Sequence, residues 1–84
     1  MSTTTTALSG RSLVEALTRI QAATGGSCDY DRGCVRVDYA DLGHANLWPQ
    51  PDGTVDIGGR YRDWYGLREG LVRQLQSAGL EVSQ

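Results

Sequence analysis

Apolar residues recur at two different spacings along this 84-residue chain, and the spacings distinguish helices from strands. Near each end, apolar positions three and four residues apart form a single stripe, which is typical of an amphipathic helix. The first stripe comprises Leu13, Ala16, Leu17, Ile20 and Ala23, and the second comprises Trp64, Leu67, Leu71, Leu75 and Ala78. Between the stripes, apolar and polar residues alternate, which indicates half-buried strands. The pattern therefore predicts two helices separated by a sheet-forming middle.

Capping residues set the limits of both predicted helices. Ser9, or alternatively Ser12, can begin the first helix by accepting a bond from a backbone N–H that lacks a helical partner. Gly25-Gly26 ends this helix, because glycine adopts the left-handed conformation without a steric clash. By the same reasoning Asp63 caps the second helix and Gly79 ends it.

Three segments in the middle of the chain alternate in the manner of strands: residues 34–40, 44–48 and 54–57. In each of them every second residue is expected to face the helices. These residues are Val35, Val37 and Tyr39, then Ala45 and Leu47, then Val55 and Ile57.

Glycine, proline and aspartate mark the turns between these segments. Residues 27–33 predict a tight acidic turn, with a small hairpin as the alternative, and residues 41–43 predict a second turn. Pro51-Asp52-Gly53 predicts a third, because proline presets φ and glycine accepts a positive φ. Gly58-Gly59 is expected to end the last strand, and residues 80–82 could add a short final one.

The resulting order is α-β-β-β-α, with an optional last strand. We predict an α+β fold, a two-layer sandwich in which both helices cover one face of a three- or four-stranded antiparallel sheet. Residues 8–84 suffice for a single domain. Residues 1–7 contain a run of threonines and are predicted to form a disordered polar tail.

The chain is mildly acidic, and its charge is uneven. The formal net charge is −2, but residues 27–57 carry six Asp against two Arg, whereas the segments on either side each carry +1. Domains that bind nucleic acid directly usually have a basic surface, so direct binding is not expected here. All eight cations are arginines, a bias that suggests GC-rich coding and hence a bacterial or phage origin.

The sequence contains neither a membrane-spanning segment nor a secretory signal. The apolar runs fall far short of the ~18 residues needed to cross a bilayer, and the N-terminus lacks a basic start and an apolar core. We therefore expect a cytoplasmic protein without a membrane partner.

Few residues offer catalytic or metal chemistry. The chain has two cysteines and one histidine, and the spacing of Cys28, Cys34 and His44 fits no zinc module. The two cysteines are expected to be reduced thiols, with a disulfide across a hairpin as the alternative. We therefore predict no enzymatic activity, cofactor or metal. The alternative is a small enzyme or metal-binding domain built on these three residues.

Arginine and aromatic residues cluster at the start of the second helix. Arg, Tyr and Trp dominate the energetic centres of protein interfaces, so such a cluster favours partner binding. The predicted contact residues are Arg60, Tyr61, Arg62, Tyr65, Arg68 and Trp48, together with an acidic sheet edge at Asp29, Asp31, Asp38 and Asp41. In the alternative interpretation the two tyrosines only cover the helix entrance, and the arginines pair with neighbouring acids.

The composition as a whole favours a small protein-binding module over an enzyme. We expect a regulatory or inhibitory accessory protein of bacterial or phage origin, for example an anti-CRISPR-type inhibitor of a host nucleic-acid-processing complex. A structural homodimer formed through Trp48 and the strand edge is a further alternative.

Overall fold

The computed structural model describes residues 8–62 and 64–83, with the backbone alone at residue 64. In chain order the elements are α1 (Gly10–Thr24), β1 (Ser27–Asp29), β2 (Cys34–Asp38), β3 (Gly43–Pro49), β4 (Thr54–Tyr61), α2 (Leu67–Ser77) and β5 (Glu81–Val82). Short 3-10 turns precede β3 (Ala40–Leu42) and α2 (Trp64–Gly66). The predicted tail, the predicted cap at Asp63 and the predicted burial of the Trp64 side chain lie outside the described residues. Neither described helix combines the length and apolarity needed to cross a bilayer.

The five strands form one sheet in the order β1-β2-β3-β4-β5. Consecutive strands pair antiparallel, except that β5 pairs parallel to β4 because α2 carries the chain back across the sheet. The α+β prediction with both helices on one face is confirmed. Two short edge strands complete the sheet: β5 confirms the optional final strand, and β1 forms with β2 the small hairpin that was the alternative for residues 27–33, so the sheet has five strands where three or four were predicted.

The core lies between the two helices and the facing side of the sheet. Its buried members are Leu17 and Ile20 from α1, Val35, Ala45, Leu47 and Val55 from the strands, and Leu71, Leu75 and Leu80 from the C-terminal region. Tyr39 and Ile57 pack against this cluster while remaining partly exposed. The strand alternation therefore predicted correctly which residues face the helices.

The second helix is shorter at both ends than its predicted stripe. Tyr65 and Gly66 both have left-handed backbones, with φ of 65° and 68°, so α2 begins only at Leu67. At the other end Ala78 is exposed, contrary to the prediction. The chain reverses through Gly79, and the Leu80 amide donates to the Leu75 carbonyl at 2.9 Å. Leu80 thereby takes the buried position that periodicity assigned to Ala78.

The predicted end of the third strand at Gly58-Gly59 is wrong. β4 continues through the glycine pair to Tyr61 and keeps an unbroken register with β3. Gly59 has a φ of 102°, a region that side chains strongly disfavour. The glycine pair therefore lets the strand pass close to β3 instead of ending it.

The Asp52 side chain stabilises the β3–β4 turn. Its carboxylate accepts hydrogen bonds from the Thr54 hydroxyl at 2.7 Å and from the Thr54 amide at 3.0 Å. The side-chain bond from Thr54 and then the amide bond hold the pKa of Asp52 below its ordinary value, because both donors stabilise the ionised form. The stability that this carboxylate contributes is present above its unfolded pKa and is lost as the pH falls through the lower folded pKa.

We expect Thr54→Val to return the pKa of Asp52 part of the way to its ordinary value, because the substitution removes the hydroxyl donor and leaves the amide. A carboxyl-detected NMR titration measures this shift directly. Thr18→Val is the control, since Thr18 donates to Val14 within α1. An Asp52 titration that stays unchanged in Thr54→Val would contradict this explanation.

Candidate functional site

Both helices pack on one face of the sheet, so the opposite face, referred to below as the outer face, presents polar side chains. In β3 the residues that alternate with buried Ala45 and Leu47 are His44, Asn46 and Trp48. His44 lies across from Arg60, and Trp48 lies across from Asp56. His44 and Trp48 are four positions apart, which corresponds to about 13 Å along an extended strand. The outer face therefore has two distinct ends.

The structure divides the predicted contact residues between these two ends. One end, where β4 leads into α2, has Arg60, Tyr61, Arg62, Tyr65 and Arg68, with Asp38 and Asp41 nearby. The other end, beside the β1–β2 and β3–β4 turns, has Trp48, Asp29 and Asp31. The predicted cluster with Trp48, and the predicted continuous acidic edge, are thus each split between two surfaces.

At the first end, Tyr65 is the dominant exposed residue. Its side chain is 90% exposed, the highest value among the large apolar and aromatic side chains that are exposed in the described chain. The backbone before it is anchored, because the Arg62 amide donates to the Leu42 carbonyl at 2.7 Å. Arg60, Arg62 and Arg68 are also exposed. We call Arg60, Arg62, Tyr65 and Arg68 the helix-entrance surface.

Tyr61 differs from the other predicted contact residues at this end. It points to the helix side of the sheet, where its ring lies 6.0 Å from that of Tyr39 at an angle of 53°. Both rings pack against the core cluster. Tyr61 therefore supports the helix-entrance surface from beneath and is not part of it.

Two of the predicted acidic contact residues have local partners. The Asp29 carboxylate accepts a bond from the Arg32 amide at 3.1 Å and lies 3.8 Å from the Arg32 guanidinium. Asp38 pairs with Arg36 at 2.9 Å on the outer face. Asp31 and Asp41 are exposed. The Asp29 carboxylate therefore stabilises the β1–β2 hairpin turn.

The two thiols and the histidine on which the alternative prediction depends do not lie together in the structure. Cys28 faces α1, with its sulfur 3.6 Å from the Leu17 carbonyl. It pairs across strands with Val35, so the adjacent Cys34 points to the opposite face, and both thiols are free. Burial, followed by the charge of Asp29, raises the pKa of Cys34 and keeps the thiol protonated. The described residues contain no cluster of three His, Cys, Asp or Glu suited to a metal.

Sequence reasoning missed a groove at the second end. Tyr30, Pro49, Pro51 and Asp56 line it together with Trp48. Trp48 and Asp56 are brought together by the strand register across the β3–β4 turn, which pairs these two residues directly. A turn shorter by one residue would have shifted the register and put Asp56 elsewhere, so the sequence alone did not reveal this pairing.

Known protein families, characterised proteins and solved structures gave no match to this chain. The chemistry of its two surfaces is nevertheless well defined. Tyrosine offers an apolar ring with a polar tip, and arginine offers a planar fork of donors that suits carboxylates. These groups are suited to recognition of another macromolecule.

Proposed function

We propose that this protein is a non-catalytic binding module that docks on a partner protein through the helix-entrance surface. The observation that carries the proposal is the exposure of Tyr65 on a left-handed backbone. A residue other than glycine is strained in that conformation, and such strain commonly marks functional positions. A protruding aromatic ring among arginines matches the composition of interface hot spots.

The same surface suggests what the partner offers. The ring of Tyr65 would fill an apolar pocket, and the arginines around it would meet carboxylates on the rim. We propose that the module is a regulatory or inhibitory accessory protein of bacterial or phage origin. An anti-CRISPR-type inhibitor of a nucleic-acid-processing complex is one example of this class. The small size, the arginine-only cations and the two chemically different ends support this proposal.

The strain at Tyr65 can be measured independently of any partner. We expect Tyr65→Gly to raise the free energy of unfolding by about 0.5–1 kcal/mol, because glycine adopts the left-handed conformation without the clash that a side chain suffers. Urea denaturation followed by circular dichroism measures this difference. A clear loss of stability would mean that the tyrosine ring supports the fold, which would contradict its assignment to a contact surface.

Partner capture tests the proposal itself. A pull-down from a bacterial lysate identifies the partner, and titration with the purified partner then compares wild type, Tyr65→Gly and Arg62→Ala/Tyr65→Ala. We expect affinity to fall by about tenfold or more without Tyr65, as for a hot-spot residue. Val14→Ala is the control, because Val14 is exposed on α1. Unchanged affinity in both Tyr65 variants would show that the partner does not bind the helix-entrance surface.

A further inference from the structure

The groove at the second end lies between the β1–β2 turn, the β3–β4 turn and the start of α1. Its volume is about 670 Å³, within the range of about 300–1,000 Å³ that is typical of small-ligand sites. The residues that matter for its chemistry are Tyr30, Asp31, Trp48, Pro49, Pro51 and Asp56. We call this cavity the hairpin groove.

Aromatic and proline residues form the walls of the hairpin groove. The indole nitrogen of Trp48 lies 3.5 Å from the point where a Cβ on Gly58 would stand, so the indole edge lies against the β4 backbone. Trp48 remains partly exposed, and Tyr30 is 55% exposed. Hydrogen bonding to the Cys28 side chain, followed by the charge of that side chain, raises the pKa of Tyr30 above its ordinary value. Pro49 and Pro51 add apolar surface without amide donors.

The charge of the hairpin groove is negative and uncompensated. Neither the Asp31 carboxylate nor the Asp56 carboxylate makes a hydrogen bond or ion pair within the described part of the chain. Arg32 also lines the groove, but its guanidinium and its amide are both engaged by Asp29. Two free carboxylates beside an aromatic wall attract a cation and repel phosphate.

A second, smaller crevice adjoins the groove across the Pro49–Pro51 turn. Its volume is about 240 Å³, and Ala16, Val55 and Leu80 are among the residues that line it. The two cavities share four lining residues, Leu8, Pro49, Gln50 and Pro51. An extended chain crossing this turn could place a charged side chain in one cavity and an apolar side chain in the other.

We propose that the hairpin groove binds an arginine side chain of a partner peptide, with an aliphatic residue of the same peptide in the adjoining crevice. The guanidinium stacks on Trp48 and pairs with Asp56 and Asp31, while its stem lies along the two prolines. Arginine fits better than lysine because a planar guanidinium can both stack and form two parallel bonds to a carboxylate. This site is separate from the helix-entrance surface, so it does not depend on the proposed function.

A defined peptide tests this site by NMR. The probe is the acetylated and amidated heptapeptide Gly-Ser-Arg-Gly-Leu-Ser-Gly, added to the ¹⁵N-labelled protein at low salt. We expect a saturable shift of the Trp48 indole N–H. Replacing the arginine of the peptide with citrulline, which keeps the shape and removes the charge, should weaken binding about fivefold or more.

Variants assign the binding to the hairpin groove. Asp56→Asn should weaken binding about fivefold, whereas Asp41→Asn, which removes an equal charge at the other end of the sheet, should change it by less than about twofold. Tyr65→Gly should also leave binding unchanged, so a failure of the proposed function would not affect this result. Thermal unfolding of each variant confirms that it is folded.

Three outcomes would overturn the assignment. If the citrulline peptide bound as tightly as the arginine peptide, guanidinium recognition would be excluded. If Asp41→Asn weakened binding as much as Asp56→Asn, the binding would reflect only general electrostatic attraction. A concentration-dependent shift of the Trp48 resonance without peptide would assign the groove to a second copy of the chain. The absence of a saturable shift would exclude the site itself.

Discussion

Replacing Gly59 with alanine is expected to lower the free energy of unfolding by about 2–4 kcal/mol. The added methyl group would stand 2.6 Å from the His44 carbonyl oxygen and 2.9 Å from the Ala45 Cα, on a backbone with a φ of 102°. Both neighbours are main-chain atoms of β3, so neither can rotate away. Urea denaturation measures the loss, which is a large share of the about 5–15 kcal/mol that stabilises a typical domain.

The adjacent glycine provides a matched control for this prediction. A methyl group on Gly58 would stand 3.5 Å from the Trp48 indole nitrogen, which is an ordinary contact distance. We therefore expect Gly58→Ala to change stability by less than about 1 kcal/mol. Similar losses in the two variants would show that the close approach at Gly59 does not limit stability.

The second large effect is expected at the centre of the core. Leu17 is completely buried in α1, and Leu17→Ala should cost about 2–5 kcal/mol through lost burial and the cavity that remains. Thermal unfolding should register this as a fall in Tm of at least about 8 °C, given about 4–8 °C per kcal/mol for a domain of this size.

Val14→Ala on the same helix is the control for Leu17. Its side chain is 45% exposed and lies on the solvent side of α1. Because alanine has the higher helix propensity, the loss of partial packing should be nearly balanced, within about 0.5 kcal/mol. If Val14→Ala proved as costly as Leu17→Ala, the assignment of the buried face of α1 would be wrong.

The layered fold could be predicted because its core follows simple periodicities. Leu17 belongs to the helical stripe of α1 and Leu75 to that of α2, while Ala45 and Leu47 are two residues apart in one strand. The burial of all four residues therefore follows from the pattern. The two edge strands do not follow from alternation, and the sequence indicated them only as options. β5 has two residues, and its pairing depends on where α2 returns the chain. β1 has three residues, too few to show a period.

Backbone conformations of positive φ account for most of the remaining differences. The pattern from Trp64 to Leu71 resembles one continuous helical stripe, but the left-handed residues Tyr65 and Gly66 divide it. Likewise Gly58-Gly59 has the composition of a strand end, although the register with β3 carries β4 through it. At the glycine pair, pairing with β3 overrides the local signal, whereas at Tyr65 and Gly66 the backbone conformation itself interrupts the helical pattern.

The exposure of some candidate contact residues could be predicted from the sequence, but their arrangement in space could not. Arginine and aromatic residues were correctly expected to be exposed at Tyr65 and Arg68, while Tyr61 turned inward because strand alternation continues through it. Trp48 belongs with Asp56 because the β3–β4 turn sets their register. The positions of Tyr61 and Trp48 thus depend on the length of β4 and on the length of the β3–β4 turn.

The two limits of the described chain lie at the same end of the sheet. Leu8 lines the hairpin groove, and the Ser83 amide donates to the Val55 carbonyl beside the same turn. A tether joined to either limit would therefore approach the molecule from this side and leave Tyr65 at the far tip. Immobilised through such a tether, the protein would present its protruding ring outward, while the space around Trp48 would be the first to become crowded.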